Sequence, residues 1–169
     1  MTAKYCLDTS GISNPIIDLP SDIHTTLWPK VVAAIEGGIF CWNVEIATEM
    51  TSIPGFVGES LKNCNGSCCL EVGKGEWPWS EYIKTNTLWQ AQFKAFISEY
   101  NGNRKDTVGL NDLSIVALAK TLCIPVVSME RRNMGQLSEK KLRIPDLCDK
   151  VEVKHLSFNE LCRAEGIKA

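Results

Sequence analysis

Histidine is scarce in this chain, and neither His24 nor His155 stands near a nucleophile motif. No G-x-S-x-G occurs, so a Ser-His-Asp hydrolase of the strand-elbow type has no footing. Gly73 and Gly75 are too few for a phosphate-cradling loop, and no G-x-x-x-x-G-K-[ST] follows them. No apolar run is long enough to span a bilayer and no charged-plus-apolar leader is present, so a cytoplasmic protein without membrane contact is expected. A net charge of −2 excludes a broadly basic nucleic-acid binder, although it leaves room for a local basic patch. Internal repeats, low-complexity tracts and linkers are absent as well. The 169 residues, 44% of them hydrophobic, fit one domain with a real core.

Cysteine is the opposite case, with eight. Cys6, Cys41 and Cys123 lie in or beside apolar runs, where free cysteine behaves as a small hydrophobe. Cys64, Cys68 and Cys69 form a C-x3-C-C cluster in a Gly- and Asn-rich stretch with no histidine near it in sequence. A structural zinc site wants four ligands in paired spacings, and a reducing compartment disfavours disulfides, so the use of this cluster stays open.

The stretch LNDLSIVALAKTLCIPVVSMERR, residues 110–132, organises the rest. Residues 110–122 are apolar almost all round, and a helix with so little polar face has to be covered by protein. Residues 124–127 are a short β-branched run after turn chemistry, which predicts a core strand. Asp112 lies in the first helical turn and Glu130 lies just past the strand.

In chain order, residues 4–8 predict a first strand that ends on Asp8. A short helix follows over 12–17. A longer one opens at Ser21 or Asp22 and carries Ile23, Leu27, Val31 and Ile35, closing at Gly37 and Gly38. Residues 39–42 are the second strand. Asn43 caps a helix that turns Val44, Ile46, Ala47 and Met50 inward, with Glu45 and Glu49 one turn apart. Residues 51–109 read as a helical insert with a loop over 64–79. Within it Tyr82, Trp89, Phe93, Phe96, Ile97 and Tyr100 form the core stripe of one long helix. Past the central unit, Arg131, Arg132, Lys140, Lys141 and Arg143 make a basic segment. A short helix then starts at 144–148, residues 151–153 predict a fourth strand, and Ser157 with Glu160 boxes a last helix.

This alternation predicts an α/β fold, a three-layer α/β/α sandwich with a central, mostly parallel sheet of about four strands. Each acid taken alone has an ordinary use. Asp8 suits a turn, Asp112 a helix N-terminus and Glu130 plain solvation. Asp8, Glu49, Asp112 and Glu130 nevertheless fall at corresponding places after successive elements. Several carboxylates converge only where a cation offsets their repulsion, so together they suggest a metal site.

The order of Leu7-Asp8-Thr9-Ser10, NVEIATEM with Glu49, LNDLSIVALAK with Asp112 and VVSME ending at Glu130 resembles the PIN-domain nucleases, the fold of the VapC toxins of bacterial toxin–antitoxin pairs. KLRIPDLC, residues 141–148, followed by a strand and a capped helix, is further similar to an uncharacterised bacterial PIN-like family. The resemblance implies an endoribonuclease dependent on Mg²⁺ or Mn²⁺. RNA is the implied substrate, and a protein antitoxin and a homodimer are the implied assemblies. It makes Asp8 and Asp112 direct metal ligands and lets Glu49 and Glu130 complete the site directly or through water. Thr9, Ser10 or Ser128 orient a ligand or water, and Arg131, Arg132, Lys140, Lys141 and Arg143 face the RNA backbone. Two departures stand out. Many family members end the third strand with an Asp after a small polar residue, whereas here Met129 precedes Glu130. Glu45 is a rival that spacing does not separate from Glu49, and the family's placement favours Glu49. The other reading is a non-catalytic PIN-like module that binds RNA or protein, because fold does not fix function.

Overall fold

A computed structural model of the protein describes residues 3–133 and 141–168, and for residues 65–69 the backbone alone. Strand β1, Tyr5–Leu7, is buried along its whole length, as a strand covered on both faces must be. It pairs in parallel with β2, Phe40–Asn43, in the register Cys6 to Cys41, and with β4, Val126–Val127, in the register Cys6 to Val126. β3, Cys69–Leu70, extends the sheet beyond β2, and β5, His155–Leu156, extends it beyond β4. The order is therefore β3-β2-β1-β4-β5, parallel throughout.

That order decides where the helices lie. The chain moves outward from β1 through β2 to β3, then returns to β4 and moves outward again to β5. With right-handed crossovers the two movements put their helices on opposite faces. One layer holds α1 (Ser10–Asp18), α2 (Leu27–Glu36) and α4 (Gly55–Cys68), joined by α8 (Phe158–Ala164), which packs on α1 and β5. The other holds α5 (Trp79–Gln92), α6 (Leu110–Leu122) and α7 (Ile144–Val151). Short α3, Val44–Met50, leaves the carboxyl end of β2 directly. Helix α6 is the centre of its layer. Every residue from Leu113 to Ala119 is buried, between β1, β2 and β4 on one side and α5 and α7 on the other.

Several predicted elements shift. The sheet has five strands, because α4 runs on to Cys68 and delivers β3 where a loop was expected. A two-residue strand following directly on a helix leaves no alternation to read. The segment 51–109 is mostly helical and still supplies this edge strand. The fourth strand expected at 151–153 does not form. Val151 ends α7, Glu152 caps it in the left-handed region (φ 57°), and the chain meets β4 only at His155. The helix expected from residue 21 starts at Leu27, since a separate turn at Pro20 takes the backbone N–H groups of Ile23 and His24 and leaves Ile23 exposed. Val44 is the first residue of α3 and is exposed rather than inward. The long aromatic helix stops at Gln92 and continues as two single 3-10 turns, Lys94–Phe96 and Ser98–Tyr100. Ile97 stays fully buried between them while Tyr100 is exposed. Among the cysteines, Cys6 and Cys41 meet in the core with sulfurs 3.6 Å apart, but Cys123 is an exposed helix C-cap. Among the described residues no helix is long and apolar enough to cross a membrane.

One glycine sets how closely the first helix approaches the sheet. A Cβ on Gly11 would lie 2.8 Å from the carbonyl oxygen of Val127 and 3.0 Å from a Leu7 methyl. Both are rigid core positions, so the start of α1 would have to move away from β4. Gly11→Ala is expected to lower stability by about 1–3 kcal/mol, the usual cost of overpacking. Urea unfolding checks this, and an unchanged midpoint would show that the contact is slack.

Candidate functional site

Open parallel sheets bind ligands at their carboxyl edge, in the crevice where the strand order reverses. Here the reversal lies between β1 and β4. Asp8 is the first residue past β1, buried to 4% exposure, and its N–H donates to Val127 O at 3.0 Å. Its Oδ2 accepts from the Ser10 N–H at 3.0 Å and from the Ser10 hydroxyl. The Ser10 Oγ in turn accepts the N–H of Met129 at 3.1 Å, which ties the exits of β1 and β4 together.

Asp112 comes to the same edge from the other layer, as the third residue of α6. Its Oδ2 accepts the N–H of Gly109, the helix N-cap, at 2.7 Å. Glu49, near the end of α3, is held by two elements at once. The Thr9 hydroxyl donates to Oε2 at 2.8 Å and Asn111 Nδ2 donates to Oε1 at 2.6 Å. Glu130, past β4, accepts the Ile144 N–H at the start of α7, 2.8 Å from Oε2.

The electrostatics bind these four into one group. Burial, followed by the charges of Glu130 and Glu49, pushes the Asp8 carboxyl up to about 6 against the hydrogen bonds from Ser10. Burial also raises Asp112, to about 7; Asp8 is the charge that acts on it most, ahead of Glu130 and Glu49, while the Gly109 N–H pulls the other way. Glu45, the rival to Glu49, acts instead on the buried phenol of Tyr82.

An all-carboxylate donor set suits a hard divalent cation of the Mg²⁺ type, which keeps several waters and takes only one or two protein carboxylates. Among the described residues no three His, Cys, Asp or Glu side chains stand close enough to share one ion. That matches the hydrogen bonding. Asp8 and Asp112 each have one oxygen that no hydrogen bond reaches among the described residues, whereas both oxygens of Glu49 already accept one. Asp8 and Asp112 are therefore the two residues whose chemistry suits holding such an ion, with the charges of Glu49 and Glu130 acting on both.

The remaining candidates divide. Thr9 and Ser10 touch the acids. Ser128 is fully buried and bonds His155 Nε2 at 2.8 Å, so it contacts β5 rather than the acids. Arg132 is engaged in a two-point ion pair with Asp149, at 2.8 and 3.0 Å. Lys141 and Arg143 both pair with Asp106, and Arg131 is exposed. Lys140 lies outside the described residues. Cys64 is a buried α4 residue whose sulfur reaches Ile35 O at 3.7 Å; of the Cys68 and Cys69 side chains nothing is described.

Sequence reasoning named Thr9 and Ser10 but passed over Asn111 and Ser114, and took Asn43 only as a helix cap. Asn43 is buried and, besides capping α3 through the Ile46 N–H (3.2 Å), donates to Ser114 Oγ at 2.7 Å. Ser114 donates to Asn111 O at 2.7 Å. Asn111 then grips Glu49, so a chain of polar contacts runs from β2 through α6 to α3. Only its position next to Asp112 marked Asn111 in the sequence. Asp146, a further buried acid, accepts from the Asn133 N–H and side chain and from the Arg143 N–H, all within the loop and start of α7.

The chain belongs to the family described as a domain of unknown function, DUF4411, whose model matches residues 5–169. No curated protein matches it. Among solved structures it is similar to VapBC-1 from nontypeable Haemophilus influenzae, at 12% identity and a TM-score of 0.48 over 92% of this chain and 98% of that one. It is also similar to FitAcB from Neisseria gonorrhoeae, at 14% identity and a TM-score of 0.42 over 91% and 97%. Likenesses this distant carry no argument about the activity of this chain.

The raised carboxyls make a stability prediction with a definite sign. Folding raises both above their ordinary value of 3.8, so the native state holds these protons more tightly than the unfolded chain. The stabilisation is complete below about pH 4 and is lost as pH rises through 6 and 7. In chelator at pH 8, Asp112→Asn removes one repelled charge and keeps an acceptor for Gly109. It should melt higher than wild type by on the order of 3 kcal/mol, or roughly 6–12 °C for a chain of this size. At pH 4 the two should melt together. Melting curves that track each other at both pH values would remove the electrostatic account.

Proposed function

We propose that the protein is a metal-dependent endoribonuclease of the PIN type, the toxin of a toxin–antitoxin pair. One observation carries the catalytic reading: four carboxylates from four different elements gather at the strand-order reversal, where Glu49 and Glu130 help raise the carboxyls of Asp8 and Asp112. Raised carboxyls gathered at a ligand-binding edge mark a functional site, and a divalent cation is what offsets their repulsion.

Bound at these acids, Mg²⁺ or Mn²⁺ would polarise a phosphodiester and lower the pKa of an attacking water for in-line hydrolysis. Asp8 and Asp112 would hold the ion. Ser10 fixes the Asp8 carboxylate, and the Gly109 N–H does the same for Asp112. Glu49, oriented from both sides by Thr9 and Asn111, and Glu130, oriented by Ile144, would accept a proton from the attacking water. RNA as substrate and an antitoxin as partner rest on the resemblance of the Asp8, Glu49, Asp112 and Glu130 segments to VapC toxins.

Purified wild type should cleave mixed RNA with Mn²⁺ or Mg²⁺ and stop in chelator. Asp8→Asn and Asp112→Asn should each lose roughly a hundredfold or more, beyond what loss of an outer-shell group costs. Binding of Mn²⁺ without cleavage of any RNA in a broad pool would instead favour the non-catalytic binding module. For the toxin assignment, expression of wild type should arrest growth and expression of Asp112→Asn should not; equal growth of both strains would argue against it.

A further inference from the structure

Two basic segments far apart in the sequence meet beside the acids. The loop after the second 3-10 turn is tightly wound, with Gly102, Asn103 and Asp106 all in the left-handed region (φ 68°, 52° and 62°). Asn101 Nδ2 donates to Lys94 O and Ile97 O at 2.9 and 2.7 Å, the Asn103 N–H donates to Ser98 O at 2.8 Å, and the Thr107 hydroxyl bonds Arg104 O. The loop is thus pinned by its own hydrogen bonds, and it carries Arg104 and Lys105 exposed at its tip.

Asp106 fastens this loop to the second segment. Its carbonyl accepts the Leu142 N–H at 2.9 Å, and its carboxylate pairs with Lys141 at 2.9 Å and with Arg143. These two cations, the Arg143 hydrogen bond first, hold the carboxyl down at about 2. Glu130 and Asp146 act on Arg143 besides Asp106, so Lys141 and Arg143 are offset, and the unoffset positive charge of the junction is that of Arg104 and Lys105, which form no ion pair among the described residues. Its place is set by backbone contacts. The residue after Arg143 donates to Glu130, and Asp106 stands three residues before Gly109, whose N–H holds Asp112.

We propose that Arg104 and Lys105, on the loop that Asp106 fastens to Lys141 and Arg143, form a cationic surface that receives the phosphodiester backbone of single-stranded RNA beside the acids. The proposal rests on the nuclease reading and adds the path by which a polyanion reaches a site built of carboxylates. Four acids repel RNA at long range, so cations must offset that repulsion next to them. Exposed Lys and Arg heads on a pinned loop suit phosphates, which confer affinity without sequence preference. Holding the loop in advance lowers the ordering cost of binding.

The test is fluorescence anisotropy with a labelled mixed-sequence RNA of about 15 nucleotides, in chelator, comparing wild type with Arg104→Ala/Lys105→Ala. The double variant should bind about tenfold more weakly near 0.1 M salt. Its plot of log affinity against log salt should flatten by about 1.4, the value for two lost phosphate contacts on a single strand. Melting temperature and Mn²⁺ affinity should stay at wild-type values, and Arg104→Lys/Lys105→Arg should restore binding. Affinity and slope within twofold of wild type in a folded double variant would overturn the proposal. So would equal binding of an acidic polyglutamate of the same length, which would assign the surface to a protein partner. Because binding is read without metal, failure of wild type to cleave RNA would count against the nuclease reading alone.

Discussion

The carboxyl edge of this protein depends on the repulsion between Asp8 and Asp112. Asp8 is buried and Asp112 half-buried, and among the described residues neither has a cation as partner; each is steadied by donors on its own side, Ser10 for one and Gly109 for the other. Such an arrangement persists because two rigid elements deliver the acids. Asp8 sits at the end of a central strand, hydrogen-bonded to β4, and Asp112 sits at the start of a helix buried from Leu113 to Ala119. Neither can retreat from the other without moving the core, so the strain is relieved at the level of charge.

Around this pair, order is imposed by polar contacts that cross between layers. Asn43 links β2 to α6, Ser114 passes the link to Asn111, and Asn111 fixes Glu49, which Thr9 holds from the β1 exit. Ser10 joins the exits of β1 and β4, and Gly11 lets α1 start close enough for it to do so. On the other side, Glu130 and Asp146 anchor the chain after β4 to the first turn of α7. The acids therefore stand in a frame built largely of hydrogen bonds between different elements, the kind of support that a site positioned to within a fraction of an ångström requires.

Much of the fold was legible because its signals are local. The apolar run of α6, the β-branched run before Ser128 and the Ser157–Glu160 capping box each report on a few neighbouring residues. Elements were misjudged where the outcome was set by distant partners. β3 exists because two residues after α4 fall beside β2. β5 begins four residues later than the apolar run 151–153 suggested, because Glu152 takes a left-handed C-cap. The aromatic stripe from Tyr82 to Tyr100 looked like one helix since 3-10 turns keep nearly the same spacing. Their turns are tighter, however, and Tyr100 falls outside the core.

By itself the sequence determined the class of the fold, the identity of four acids at the ends of successive elements, and the oxygen chemistry they offer. Those follow from periodicity and residue type, which need no coordinates. The tertiary structure decided which acids are buried, which oxygens are already taken, and that Glu49 rather than Glu45 acts on Asp8 and Asp112. It also decided that Arg132, Lys141 and Arg143 are partnered, and that the loop carrying Arg104 and Lys105 is fastened to Lys141, Leu142 and Arg143 through Asp106. Each of these is a contact between residues tens of positions apart, and only packing of the sheet and its two helical layers brings such residues within reach.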